Sequence, residues 1–470
     1  MLDLVIKGGL VIQPREIFVA DVGIAGSVIK AIERSAGALT APTVVDAAGK
    51  YIFPGIVDAH MHIPGYLLAN RLDNFDTATS AAALGGVTTI MIMPTEDPRT
   101  VTPAYFARKR RLGEMHSFVD FCIQAMVTPQ TERDEVEGMA EMGAISFELF
   151  LWYGGNPGFV IGNDDYELFR LLQLVHDVNG IAGITPHSVT LVTKLTELQK
   201  ASAIAKHYED PRRKAKVAPP GIREFALTRP TLSEGLGITR ACTVAAETGT
   251  RLHLRALSSE RSVGLVHRFK DAATLSSEVM SHHLLFTDEE AEAFGPYGKI
   301  VPPIRSKRER DYLRDCIRDG RVDMVVSDHS PVLEDDKEEG WADIWPTAPG
   351  MPGLQTFFQS MMTLVDEGAL SLTDIARSCA EQPAKLFGIY PRKGAVVVGA
   401  DADLIVADPN RPELIDNASQ RSRARYTTMR GRKVGAGIDA VYLRGKLLAQ
   451  NGELVAPPGG RFVAPQRAAP

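Results

Sequence analysis

Short apolar runs recur through the middle of the chain: GVTTIMIMP, FVDFCIQAMV, AISFELFLW, GIAGITPH, RLHLRAL and RVDMVVSDH. They alternate with amphipathic stretches such as TPAYFARKRRLGEMH, DYELFRLLQLVHDVNG and SEGLGITRACTVAAETG. A run too short for a helix and apolar throughout suits a strand buried on both faces. Parallel sheets covered by crossover helices are built from such strands. Six or more βα units spread over about 330 residues favour a closed (β/α)8 barrel over an open sheet. The predicted class is therefore α/β, with a TIM-like barrel at its centre.

The two ends of the chain read differently. LDLVIKGGLVI, DVGIAGSVIKAIE and PTVVDAAGKYIFPG alternate β-rich runs with turn residues, and ADADLIVADP, AVYLRGKLLA and GELV repeat that texture near the other end. This is meander patterning. It predicts a small β-sandwich built from both termini, with residues 1–53 and 389–456 flanking a barrel over 54–388. The last stretch, 457–470, lies within VAPPGGRFVAPQRAAP and is expected to be extended or loosely ordered.

A net charge of −6 speaks against nucleic-acid binding, which usually needs a basic stripe. The first residues, MLDLVIKGGLVIQP, lack the basic-then-apolar layout of a signal peptide. No apolar stretch is long enough to span a bilayer. Cys122, Cys242, Cys316 and Cys379 are far apart and form no CxxC pair, so they read as reduced core residues. Together these features predict a soluble, cytoplasmic protein.

Chemistry concentrates at the ends of the apolar runs. PGIVDAHMHI places His60 and His62 two residues apart, and side chains at i and i+2 of a strand share a face. Two imidazoles converging there suit a divalent transition metal. Asp58 would share that face and could orient a ligating ring. VDMVVSDHSP places Asp328 directly after another apolar run. A carboxylate there can hold a metal or accept a proton from its water.

PGIVDAHMHI, MPTEDPRTVTP, KIVPPIRS, VVSDHSP, QPAKLFGIYPRKGAVVVGADADLIVADP and LRGKLL, in this order along nearly the whole chain, resemble the amidohydrolase superfamily. The branch they resemble is the cyclic amidases: hydantoinase, dihydropyrimidinase, allantoinase and dihydroorotase. The resemblance implies a barrel with a β-sandwich made from both termini. It also implies two metal ions, usually zinc, that share a carboxylated lysine and activate water toward a ring amide. His60, His62 and Asp328 match ligands of the buried metal, and Asp328 also matches the proton shuttle. His187, in GITPHSVTL, matches a histidine of the second metal, and Tyr153 matches the tyrosine that steadies the oxyanion.

Two positions depart from that pattern. The carboxylated lysine falls at Glu148, in SFELFLWY, and the other second-metal histidine falls at Ala256, in LHLRALSS. A glutamate keeps the charge and two oxygens, but its chain stops roughly 3–4 Å short. The expectation is one divalent metal ion, zinc first with manganese, iron or cobalt as alternatives. It would be held by His60, His62 and Asp328, with Glu148 and His187 as further candidate ligands. His253 and Arg255 are expected to face away from the position of Ala256 unless a bulge turns them. With such a bulge, Arg255 would meet an acidic substrate or Glu148.

In EVMSHHLLFTDEE, His283 falls at a histidine of the family's site-lining loop, and a purely structural role weighs equally. Trp152, beside Tyr153, is a candidate substrate contact, with Phe150 and Trp345 as further rim residues. The implied function is metal-dependent hydrolysis of a cyclic amide, imide or ureide by an enzyme that forms a homodimer or homotetramer. Its partner would be a small cyclic substrate, with neither nucleic acid nor membrane. The changed ligands leave an alternative: a non-catalytic relative that keeps the barrel for assembly or partner binding.

Overall fold

The computed structural model describes residues 1–35, 37–65, 71–151, 160–208 and 219–466. Among them, eight parallel strands circle a barrel in chain order: Ile56–Met61, Val87–Ile92, Asp120–Ile123 continuing as Ala125–Met126, Phe147–Phe150, Ile181–Thr185, Arg251–Leu254, Leu275–Met280 and Met324–Val326. Almost every residue in them is buried, as expected of strands walled by the barrel interior and by helices. The ring closes where Met61 bridges His329, with the His62 N–H donating to the His329 carbonyl at 2.8 Å. Asp58 reinforces the seam, accepting from the Ser327 N–H at 3.0 Å and the Ser327 hydroxyl at 2.5 Å. It ties the first strand to the last, and its bond to His60 is to the backbone N–H rather than to the ring.

Local signals place the strands. Asn74 and Thr77 form a capping box that starts helix Phe75–Leu84, and Thr102 followed by Pro103 starts Pro103–His116. Helix Thr231–Thr248 stops at Gly249, whose φ of 69° suits glycine, and the chain re-enters the barrel at Arg251.

The termini share one sheet of nine strands among the described residues, joined where Tyr51–Pro54 pairs antiparallel with Leu404–Asp408. Leu4, Ile6, Val22, Ile52, Leu404 and Tyr442 belong to its separate apolar core. A buried ionic knot welds sheet to barrel. The Lys393 ammonium lies 2.5 Å from Asp120, 3.0 Å from Asp401 and 2.7 Å from Asp403, and Arg444 also pairs with Asp120. The described part of the last stretch, 457–466, is anchored to the barrel. The Phe121 N–H donates to the Arg461 carbonyl, the Val463 N–H donates back to Phe121, and the Val463 side chain is buried. The four cysteines are free and buried. No helix among the described residues is long and apolar enough to cross a membrane.

Candidate metal centre

His60 ends the first barrel strand, His62 follows it, and Asp328 follows the eighth. The Nε2 atoms of both histidines lie 3.3 Å from the same oxygen of Asp328, Oδ1. One nitrogen from each ring and one carboxylate oxygen all fall within 4.8 Å of one another. Asp328 reaches this point from a left-handed backbone, φ 43°, a conformation that aspartate tolerates better than most residues. Two neutral nitrogens and one carboxylate oxygen in this arrangement fit a divalent ion such as zinc.

The remaining ring nitrogens are held from outside. His62 Nδ1 lies 2.6 Å from the Thr95 hydroxyl. His60 Nδ1 lies 2.5 Å from Glu278 Oε1. Burial disfavours a charged His60, but the Glu278 and Asp328 carboxylates outweigh it and raise its pKa above the ordinary value. His62 has a weaker counterweight, and burial holds it below the ordinary value. Burial alone would raise Asp328, yet His60 and His62 bring it below the usual carboxylate range.

Glu148, expected as a further ligand, stands apart from this group. Its Oε2 accepts from Arg255 Nε at 3.1 Å, and its Oε1 accepts from Arg255 Nη2 at 2.6 Å and from the Ser146 hydroxyl at 2.8 Å. Both oxygens are thus engaged by the protein itself. Room for this carboxylate comes from Gly183 on the neighbouring strand, where a Cβ would lie 2.2 Å from Glu148 Oε2. His187 also lies outside the triad. It is buried, and burial with the nearby Arg305 and Arg229 lowers its pKa to about 3.

The expected orientation around Ala256 is corrected. The pairing of Ile181–Thr185 with Arg251–Leu254 is regular, with no bulge, and both His253 and Arg255 turn into the barrel. The break comes one residue later, at Ala256, whose φ is 52°. His253 is not a replacement ligand, because Nδ1 lies 2.8 Å from the Ser276 hydroxyl and Nε2 2.9 Å from Glu278 Oε2. Arg255 is fully buried and meets Glu148, a contact expected only if a bulge turned the segment and made here from a regularly paired strand.

His283 Nε2 lies 3.1 Å from the Pro303 carbonyl, a contact that fixes the loop. The neighbouring His282 is also buried. Burial lowers its pKa to about 4, against the pull of the Asp328 carboxylate. Its ring packs where Gly353 has no side chain, and its Nε2 has no hydrogen-bond partner among the described residues. Trp152 and Tyr153 lie outside the described residues. Two residues that shape the site, Glu278 and Gln124, carry no motif of their own, and Thr95 lies in the quoted MPTEDPRTVTP without having been singled out. An acid inside the short strand LSSEVM was the available signal for Glu278.

Residues 51–448 match the profile of the amidohydrolase family. The L-hydantoinase of Paenarthrobacter aurescens is 30% identical over 466 residues, covering 98% of each chain. The allantoinase of Deinococcus radiodurans is 30% identical over 474 residues, covering 99% of each. Among solved structures, the L-hydantoinase (dihydropyrimidinase) from Arthrobacter aurescens superposes with a TM-score of 0.91 at 30% identity, over 99% of this chain and 100% of that one.

Proposed function

Since this chain belongs to the amidohydrolase family, we propose that it hydrolyses a C–N bond of a cyclic amide, imide or ureide at a centre holding one divalent ion. The likeness to hydantoinase and allantoinase supports the class of bond. The observation that carries the one-ion reading is the division of acidic groups. Asp328 converges with His60 and His62, whereas both oxygens of Glu148 are engaged by Arg255.

When bound, such an ion supplies Lewis acidity, which brings the pKa of water toward neutrality. His60 and His62 would hold it through Nε2, with Thr95 and Glu278 fixing the rings through Nδ1. Asp328 is ionised near neutral pH, so one oxygen can serve the ion while the carboxylate accepts the proton of attacking water. Tyr153 takes the oxyanion role that the family resemblance assigns to it. Trp152 would line the substrate side. Zinc is the first choice of metal, and assembly as a homodimer or homotetramer belongs to the same proposal.

The test is metal analysis after expression with zinc, manganese, iron and cobalt, followed by turnover of hydantoins, dihydropyrimidines, allantoin and cyclic imides. About one tightly held ion per chain, lost in His60→Ala, is the expected result. Two ions per chain would overturn the one-ion reading. No ion at all would leave a barrel retained for assembly or partner binding.

A further inference from the structure

Arg255 has five N–H donors, and each has an acceptor inside the barrel. Nε and one Nη2 hydrogen go to Glu148, and the other Nη2 hydrogen goes to Gln124 Oε1. Nη1 donates to the Ala59 carbonyl at 3.1 Å and to Glu278 Oε2 at 2.9 Å. The guanidinium is fully buried and fully engaged, so it has no donor left for a substrate. A planar fork so completely matched holds its acceptors in one geometry.

Two of those acceptors lead to the same ligand. Ala59 immediately precedes His60, and Arg255 fixes its carbonyl, which also accepts from Gln124 Nε2 at 3.0 Å. Glu278 is gripped at Oε2 by Arg255 and by His253, which leaves Oε1 directed at His60 Nδ1. An acceptor there keeps the ring hydrogen on Nδ1 and the Nε2 lone pair on the side of Asp328 and His62. Both the backbone and the ring of His60 are therefore set from Arg255.

We infer that Arg255 is a positioning residue of the metal centre, a protein-borne cation that orients His60 as a ligand through Glu278 and the Ala59 carbonyl. This rests on the one-ion reading above. Glu148 is then the anchor of that cation, and its part in the centre is indirect.

Zinc affinity, measured by competition with a chromophoric chelator on the full chain, tests the inference. Wild type is measured first, and failure to bind zinc there would overturn the one-ion reading itself. Glu278→Gln and Glu148→Gln/Arg255→Met are then compared. The double variant removes the cation together with one of its two anions, and Glu278 keeps His60 and His253 as partners. Each is expected to weaken zinc about 10- to 100-fold, the usual cost of losing a partner behind a ligand. Adding Glu278→Gln to the double variant should cost little more, since both act on one ring. A folded double variant that binds zinc within twofold of wild type would overturn the inference. So would losses that simply multiply. Nitrogen chemical shifts of His60 in zinc-free protein, taken at alkaline pH where the ring is neutral, give a reading independent of affinity: one tautomer, Nδ1–H, in wild type and a mixture in the double variant. An unchanged single tautomer in the double variant would count against the inference even if wild type held no zinc.

Discussion

Arg255 grips Glu148 with two hydrogen bonds, Nε to one carboxylate oxygen at 3.1 Å and Nη2 to the other at 2.6 Å. The pair is almost fully buried, with side-chain exposures of 0% and 2%. In such a place attraction only offsets the cost of removing both charges from water. Losing one partner is far worse than never having had either. Arg255→Ala or Glu148→Ala should each lower stability by about 3–5 kcal/mol. Joint replacement by apolar residues of similar volume should cost less than either single change. Urea denaturation of the three variants, compared at matched metal content, checks the order.

Gly183 is the floor under that pair. A Cβ there would sit 2.2–2.4 Å from the Glu148 carboxylate atoms, so Gly183→Ala must displace the carboxylate from Arg255. The expected loss is about 1–3 kcal/mol, in the range of overpacking a core. It should shrink when Glu148→Ala is already present, because the clash is then gone. A double-mutant cycle by denaturation would show this coupling or its absence.

Asp328→Asn keeps the shape and removes both the negative charge and the proton acceptor. Turnover of whichever cyclic amide proves to be the substrate should fall about 10²–10⁴-fold, the range for a lost acid–base group. Elemental analysis of the purified variant should also show weakened metal retention. A variant with full turnover would remove Asp328 from the chemistry.

Two lysines beside the metal-side loop predict a pH effect. Lys337 Nζ donates to the carbonyls of Lys299 and Ala348, and Lys299 Nζ donates to those of Ile344 and Trp345. No carboxylate pairs with either among the described residues. Burial first, then neighbouring cations, brings each to about 7. Between pH 7 and the ordinary lysine value of 10.5 the unfolded chain binds more protons than the folded one. Stability must therefore rise with pH across that window. Replacing both lysines with methionine should flatten the rise, as followed by denaturation at several pH values.

The barrel and the His60, His62, Asp328 set were legible because they obey simple periodicity. Two histidines at i and i+2, and an acid at the end of an apolar run, declare a shared rim. The inward turn of Arg255 was hidden for a specific reason. Its side was judged relative to Ala256, and Ala256 leaves the strand with φ 52°, so alternation carried across it assigns the wrong face. Glu278 was hidden because one acid in a strand of six residues has no spacing to betray it. The anchored tail was illegible because its hold is mostly main-chain, Phe121 with Arg461 and Val463, and proline-rich composition says nothing about such pairing.

The glutamate at position 148 has one more consequence. A lysine must react with dissolved carbon dioxide before it can offer a carboxylate, and that modification can be lost again. Glu148 leaves the ribosome with its carboxylate in place, and Arg255 arrives with the matching charge. Assembly of this centre should therefore be indifferent to bicarbonate.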